Sequence, residues 1–460
     1  MPKVSVIITA HNYGKYLPKA IDSVLGQSFD DFEIIIVNDG STDDTSDVLA
    51  TYVNCSQINL LTLPGVGLAT ASNRGIQASR GEYIVRLDAD DHFDENLLLV
   101  ESTYLDKNPN VGLVFCDYYL MDVHGEITER VRRGRVNDEI ELLDRPALAA
   151  GAMYRRKCFD AIGGYNESLR YQEDYDFWIK FIEKFQVRNV NLPLMYYRQH
   201  GRSMSRNWMG RMQARRVVKA KFVSQNRERY DRKILAVVPA RADKVDERKL
   251  PLLRIGDDDL LLRCIKKLNS LHMIDRVVVS TDDPEIAEKG ITYGAEVPYL
   301  RTRATENMVA PFEKVLEELL RFLSSEEDFQ PDIVILLHPH SPFIAADHVA
   351  EAIDTLLLFN ADSVVAVLED LSYHWTPGRY GLTPVGYQRR VVRQDKDLVY
   401  KEAGGLYVFK TTNLLNNGDL FGKRISHIEL APWEAVRVRQ FWDEWVANQV
   451  VENGNQWFEN

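Results

Sequence analysis

Three short acidic clusters hold the residues best suited to chemistry. They are Asn38-Asp39-Gly40-Ser41 after the apolar run EIIIV, Asp88-Ala89-Asp90-Asp91 after YIVRL, and Glu173-Asp174-Tyr175-Asp176 at the head of an apolar helical stretch. Alternate side chains of an extended segment point the same way, so Asp88 and Asp90 can face one hard cation such as Mg2+ or Mn2+. That cation can in turn clamp a diphosphate. A carboxylate within hydrogen-bond reach of a hydroxyl can take its proton as the oxygen attacks. Acidic residues in such places also serve as helix caps and turn formers, but three clusters together weigh towards a site.

The elements that must position these clusters follow from the apolar pattern. Val4–Ile8 and Phe32–Val37 read as buried strands with a helical stretch, Leu17–Leu25, between them, which implies a parallel sheet with crossover helices. Such a sheet places ligands at the carboxyl ends of its strands, where two of the clusters lie. The same opening recurs at Lys233: KILAVVPAR, a helix near Leu260–Leu268, and the strand RVVVSTDD. The expected organisation is therefore α/β, with two Rossmann-like domains, 1–205 and 233–460, joined by a basic helical linker, 206–232. In that linker Met209, Met212, Val217, Val218 and Phe222 recur at loosely helical spacing. Two readings stand: a helix packing its apolar side on the first domain, or a basic face against an anionic membrane or lipid phosphate.

The chain has 460 residues, 56 Lys and Arg against 68 Asp and Glu, and a net charge of −12, which argues against a dedicated nucleic-acid binder. Cys55, Cys116, Cys158 and Cys264 are widely spaced and lack zinc-site spacing, as expected for reduced thiols. The N-terminus enters a strand after three residues with no signal-peptide pattern, and no apolar run approaches the ~20 residues of a membrane span. The expected location is cytoplasmic, peripheral to the membrane's inner face at most.

The segments VSVIITAHNYGKYLPKAIDSVLGQSFDDFEIIIVNDGSTDDT, GLATASNRGIQASRGEYIVRLDADD, IGGYNESLRYQEDYDFW and YYRQHGRSMS, in this order and spacing, resemble the family-2 glycosyltransferases, inverting enzymes of the GT-A fold. The resemblance covers roughly residues 1–205. It implies that Thr9 and Asn12 lie in the first nucleotide loop, that Asp39 accepts a hydrogen bond from the base, and that Asp88 and Asp90 are a DxD pair holding metal and diphosphate. It further implies that Asp174, in an ED motif, is the catalytic base, and that His200 is a third metal or diphosphate contact. Gly164, Tyr165 and Glu173 fall on the acceptor side. Arg74 is placed either to meet the diphosphate or on a helix surface. The implied activity is transfer of a sugar from a nucleotide-diphosphate donor, uridine by default, to a glycan, lipid or protein acceptor in bacterial surface polysaccharide or glycoconjugate synthesis, with Mn2+ or Mg2+ as cofactor. A non-catalytic scaffold that binds nucleotide sugars is the alternative from a different class.

From about Lys233 onward, AVVPAR, RVVVSTDDPEIAEKGITYGAEVPYLR, DIVILLHPHSPF, ADSVVAVLED and RQDKDLVYKEAGGLYVFKT resemble the CMP-sialic acid synthetases and related acylneuraminate cytidylyltransferases. Those enzymes cradle a triphosphate in a loop rich in Gly and Ser. Here the loop is Arg241-Ala242-Asp243-Lys244-Val245-Asp246-Glu247-Arg248-Lys249, without glycine and with three acids, leaving Arg241, Lys244 and Lys249 as nucleotide candidates. Where the resemblance places a metal-binding Asp-x-Asp, this chain has Arg437-Val438-Arg439, and arginine cannot ligate Mg2+. His338 and His340 replace polar residues of the same site. Either Asp443 or Glu444 is recruited in their stead, or the domain has lost nucleotidyl transfer and survives as a binding, regulatory or dimerising module. Dimerisation through this domain is expected by analogy. The rival is a bifunctional enzyme that also makes a CMP-nonulosonic acid.

Overall fold

The computed structural model describes residues 1–144, 146, 150–201, 207–242, 244–245, 247–301, 312–370, 372–379, 381–385 and 399–457. The chain forms two compact units, Met1–Val218 and Lys219–Asn460. The first is built on β1 (Val4–Ala10), β2 (Phe32–Asp39), β3 (Ile58–Leu63), β4 (Tyr83–Asp88), β5 (His92–Phe93), β6 (Val111–Met121), β7 (Ile127–Val131), β8 (Met153–Arg155) and β9 (Gln186–Arg198). Among the described residues these make one sheet in the order β3-β2-β1-β4-β8-β6-β9-β5, with β7 paired to β6. Strands β3, β2, β1 and β4 run parallel.

The uninterrupted β-branched runs of β1 and β2 are what a strand covered on both faces requires. Val4, Val6 and Ile8 join Ile34 and Ile36 on one face, while Ile7 packs with Ile35 and Val37 on the other. The helix Leu17–Leu25 buries Leu17, Ala20, Ile21 and Val24, an i, i+3, i+4, i+7 stripe. The helix Leu68–Ala78 lies against the sheet at Gly75, where a Cβ would come within 2.5 Å of Ile7 Cγ2 and 3.0 Å of Val37 Cγ2. Glycine at this position permits the close approach. The strand-to-loop transition expected at Val37 comes two residues later, so Asn38 and Asp39 belong to β2 and their side chains are held by strand geometry.

The second unit has a six-stranded sheet ordered Arg276–Ser280, Ile234–Pro239, Ile333–Leu337, Val399–Lys410, Ser363–Asp370, Ile425–Glu429. The first three are parallel, and Val399–Lys410 runs antiparallel between its neighbours. Leu316, Leu319, Leu320 and Leu323 of the helix Phe312–Glu326 cover Leu235, Val237, Val334 and Leu336 on one face. Within the expected linker, Trp208–Gln225 is helical and Arg227–Tyr230 forms a 3-10 turn; residue 206 lies outside the described residues. The expected apolar stripe is only partly covered, with Val218 and Phe222 buried and Met209 and Val217 exposed. Lys219 of this helix is buried, with Nζ 3.0 Å from Glu351 Oε1 and 2.9 Å from Thr355 Oγ1.

Candidate functional site

The carboxyl ends of β1, β2 and β4 meet in register, Ala10 opposite Asn38 and Thr9 opposite Asp88. This brings Thr9, Asn12, Asp39 and Asp88 to one edge of the sheet. Asp39 is engaged on both carboxylate oxygens, accepting from Val66 N at 2.7 Å and Gly67 N at 2.8 Å. Asn12 adopts the left-handed region, φ 61°, and its Oδ1 accepts from Thr42 N at 2.7 Å and Asp43 N at 3.3 Å. Its own N–H donates to Ser41 Oγ at 2.9 Å. The two residues therefore shape the walls of the loops after β1 and β2. Thr9 Oγ1 is buried and has no hydrogen-bond partner among the described residues.

The residue that joins the acidic clusters is Arg86, which sequence reasoning missed. It stands two positions before Asp88, so strand alternation puts both on one face of β4. Its Nε lies 3.2 Å from Asp88 Oδ1 and its Nη1 donates to Glu173 Oε1 at 3.2 Å. The guanidinium is 3% exposed and rests 5.4 Å from the centre of the Tyr165 ring. The signal was the R-x-D spacing inside an otherwise apolar strand, since an arginine pointing into a sheet core must find acids.

Asp90 is met by His200, whose Nε2 lies 2.9 Å from Asp90 Oδ2. His200 stacks on Tyr16 at a ring separation of 5.7 Å and meets Tyr13 edge-on. Arg198, at the end of β9, donates from Nε to the Asp90 carbonyl at 2.9 Å and from its backbone N–H to Asp91 Oδ1 at 2.8 Å. Burial first, then the neighbouring carboxylates, push Asp90 and Asp91 above the usual carboxylate range, against the opposing pull of His200 on Asp90 and of Arg198 on Asp91. Burial and the same acids push the Tyr13 phenol up.

Asp174 occupies the first turn of the helix Glu173–Lys184, half-buried, with Tyr175 N donating to its Oδ1 at 2.8 Å. Glu173 and Tyr165, expected on the acceptor side, are both buried. Glu173 is 5% exposed with its carboxylate on Arg86, and burial followed by the charge of Asp174 raises its pKa against Arg86. Tyr165 is 3% exposed, with its hydroxyl 2.6 Å from that of Tyr154. Gly164, φ 84°, lets the backbone close on Asn73, which bonds both the N–H and the carbonyl of Tyr165 at 2.9 Å. Arg74, one residue on, is exposed and donates to Gln77 Oε1 at 3.1 Å, the helix-surface placement of its two readings.

Among the described residues no group of three or more His, Cys, Asp and Glu is arranged to hold a metal ion by itself. Asp88, Asp90 and His200 thus make no ready three-ligand set: the imidazole is engaged with Asp90, and Asp88 with Arg86. They do fit a cation shared with a diphosphate, which needs only one or two protein carboxylates. Asp88 Oδ1 is buried without a hydrogen bond, and the raised pKa values of Asp90 and Asp91 mark negative charge that a cation would relieve.

In the second unit, two of the three nucleotide candidates, Lys249 and Arg241, have described side chains. Lys249 Nζ is bound 2.7 Å from both Asp283 Oδ1 and Glu285 Oε2. Arg241 is exposed beyond the end of Ile234–Pro239. Lys244 pairs by backbone with Lys249 in a short hairpin; its side chain, and residues Asp243 and Asp246, lie outside the described residues. Asp443 Oδ2 accepts from Arg439 N at 2.9 Å as a helix-start contact, and Glu444 holds Arg248 through two bonds of 2.9 and 2.6 Å. His338, His340 and Arg437 gather instead: the imidazole centres are 4.9 Å apart, and Arg437 Nη2 is 3.2 Å from His340 Nε2.

Comparison with known proteins finds a family match in each half. Residues 5–163 match the model of Glycosyl transferase family 2, and residues 235–373 that of Cytidylyltransferase. Chondroitin synthase of Escherichia coli is 28% identical over 45% of this chain and 30% of its own length. An uncharacterized glycosyltransferase, RP339, of Rickettsia prowazekii is 32% identical over 41% of this chain and 60% of its own. Hyaluronan synthase of Pasteurella multocida is 28% identical over 42% and 20%, respectively. The chain therefore matches 20% to 60% of the length of these relatives. No helix among the described residues is long and apolar enough to cross a membrane. The chain thus carries an N-terminal segment that matches Glycosyl transferase family 2, followed by a segment that matches Cytidylyltransferase.

Proposed function

We propose that the first domain is a metal-dependent, inverting glycosyltransferase that moves a sugar from a nucleotide-diphosphate donor to a hydroxyl of a growing glycan or lipid-linked acceptor. The observation that carries this reading is the buried Arg86, which ties Asp88 at the diphosphate end to Glu173, the residue beside Asp174. Both ends of a displacement at an anomeric carbon are thereby held on one rigid support. Asp174 accepts the proton of the acceptor hydroxyl as its oxygen attacks. Asp88 and Asp90 hold the cation, which when bound offsets the charge of the departing diphosphate as a Lewis acid. His200 orients Asp90, and Asn12 and Asp39 fix the loops that enclose the nucleoside. The likeness to chondroitin and hyaluronan synthases supports a role in bacterial surface polysaccharide synthesis, with a UDP-sugar as the first donor to try.

The test is turnover of UDP-, GDP-, dTDP- and CMP-sugars by the full chain with Mn2+, comparing the natural protein with Asp88→Ala and Asp174→Asn. At least one donor is expected to be consumed, and each variant to lose about 100-fold or more, the scale of a general base or a charge-stabilising ligand. Equal rates in all three proteins would sink the transferase and leave the scaffold reading.

The second domain, on this view, does not transfer nucleotide. Lys249 is neutralised by two carboxylates, and guanidinium groups stand where the resemblance expects metal-binding acids. No pyrophosphate release from CTP with a nonulosonic acid is expected above background; release at an enzymatic rate would establish the bifunctional alternative.

A further inference from the structure

We propose that the second domain carries a cation-independent oxyanion site, formed by Arg437, Arg439, His338 and His340, that takes the carboxylate of a sugar acid or the phosphate of a nucleotide. It rests on the reading that this domain does not transfer nucleotide.

The site lies at the carboxyl end of Ile333–Leu337, where a parallel strand pair directs ligands. Its backbone is fixed from both sides: His338 N donates to Gly405 O at 2.8 Å, and Val438 N donates to His340 O at 2.7 Å. Arg437 lies flat against the chain at Gly404, φ 68°, where a Cβ would sit 2.6 Å from Nη1. Any other residue at 404 would displace the guanidinium.

The polar atoms here are donors in want of an acceptor. Arginine only donates, so His340 Nε2, 3.2 Å from Arg437 Nη2, is the accepting nitrogen, and the ring's proton sits on Nδ1. Burial and nearby positive charge hold His338 down at about 4 and His340 at about 3, so at neutral pH both rings are uncharged N–H donors. Arg437 Nε is buried without a hydrogen-bond partner among the described residues. Burial, then the charge of Arg439, lowers the pKa of Arg437, while Glu402, which accepts from Tyr407, raises it. A planar guanidinium matches a carboxylate or phosphate in shape and charge, and the positive charge of Arg439, which acts on both Arg437 and His340, adds to the same field. The same set repels Mg2+, the opposite of what two aspartates would do.

Calorimetric titration of the full chain in EDTA with inorganic phosphate, CMP and N-acetylneuraminate tests the site. One probe at least is expected to bind with an affinity unchanged by added Mg2+. Arg437→Gln and Arg439→Gln should each weaken that binding at least tenfold and leave Mn2+-dependent donor turnover by the first domain unchanged. Arg439 is exposed, so its variant reads the site free of any folding effect. Binding of N-acetylneuraminate alone identifies a sugar acid; binding of phosphate and CMP identifies a nucleotide. No binding by any probe, binding that requires Mg2+, or wild-type binding by both variants overturns the proposal. Pyrophosphate release from CTP would overturn the silent-transferase reading on separate grounds.

Discussion

At the end of β4 the first domain gathers Asp88, Asp90 and Asp91; at the end of Ile333–Leu337 the second gathers His338, His340 and Arg437. The two places are alike in backbone terms, since each follows a buried parallel strand beside the first strand of its sheet. They are opposite in charge. In the first, burial and then the neighbouring carboxylates raise the pKa values of Asp90 and Asp91, and Asp88 Oδ1 is buried beside Arg86 without a hydrogen bond. In the second, guanidinium groups and burial press imidazoles downward and leave Arg437 Nε unbonded. The sheet thus sets where a ligand docks, and the side chains past the strand end set whether it arrives with a cation or as a bare anion.

Breaking the support of the acidic site should have the largest effect. Arg86→Gln leaves Glu173 buried without its cation, a loss of about 3–5 kcal/mol for one partner of a buried pair. Thermal unfolding should show a drop in the melting temperature of the first domain, and kcat should fall about 100-fold as Asp88 and Asp174 lose their common reference. Arg86→Lys, which keeps the charge but not the fork, should recover much of the stability and little of the rate. An Arg86→Gln protein with unchanged kcat would show that the two acidic clusters act independently.

A smaller effect is expected at His200, which touches Asp90 rather than the sheet core. His200→Gln should raise the Mn2+ concentration for half-maximal turnover about tenfold with kcat changed little, the usual scale for a residue that orients a metal ligand. A kcat loss with no change in metal dependence would instead place His200 on the substrate.

The β-branched runs and i, i+3, i+4 stripes made the two α/β halves legible; the compact units divide between Val218 and Lys219, inside the segment 206–232 read as a linker. Acidic spacing drew attention to Asp88, Asp90 and Asp174. Partnership was harder to see, because it depends on which side chains face each other across a hundred residues. Arg86 reaches Glu173, and Arg198 reaches Asp90, through strand order that local periodicity does not encode. Glu173 and Tyr165 lie in motif stretches that the resemblance assigns to the acceptor, yet the helix start at Glu173 and the Asn73 clamp on Tyr165 turn both inward. In the second half the replacement of acids by arginines was plain in the sequence. That Arg437 would settle on Gly404 beside His340 was not, since it requires a glycine at positive φ on a distant strand.

The smallest effect concerns how each domain treats a buried carboxylate. The first gives Glu173 a guanidinium, whereas in the second Lys219 is bonded to Glu351 and Thr355, and Asp354 nearby is pushed up to about 7, chiefly by burial and against the pull of Lys219. An acid whose folded pKa is raised keeps its proton in the fold after the unfolded chain has released it. Between about pH 4, where an unfolded aspartate titrates, and about pH 7 the folded state binds more protons, so stability falls as pH rises and levels off once Asp354 ionises in the fold. Asp354→Asn keeps the neutral shape without the titration. Melting temperatures of the second domain measured from pH 5 to about pH 8 should decline more steeply in the natural protein than in Asp354→Asn. Parallel curves would mean that Lys219 already compensates Asp354 as fully as Arg86 compensates Glu173, and the two domains would then handle buried acids alike.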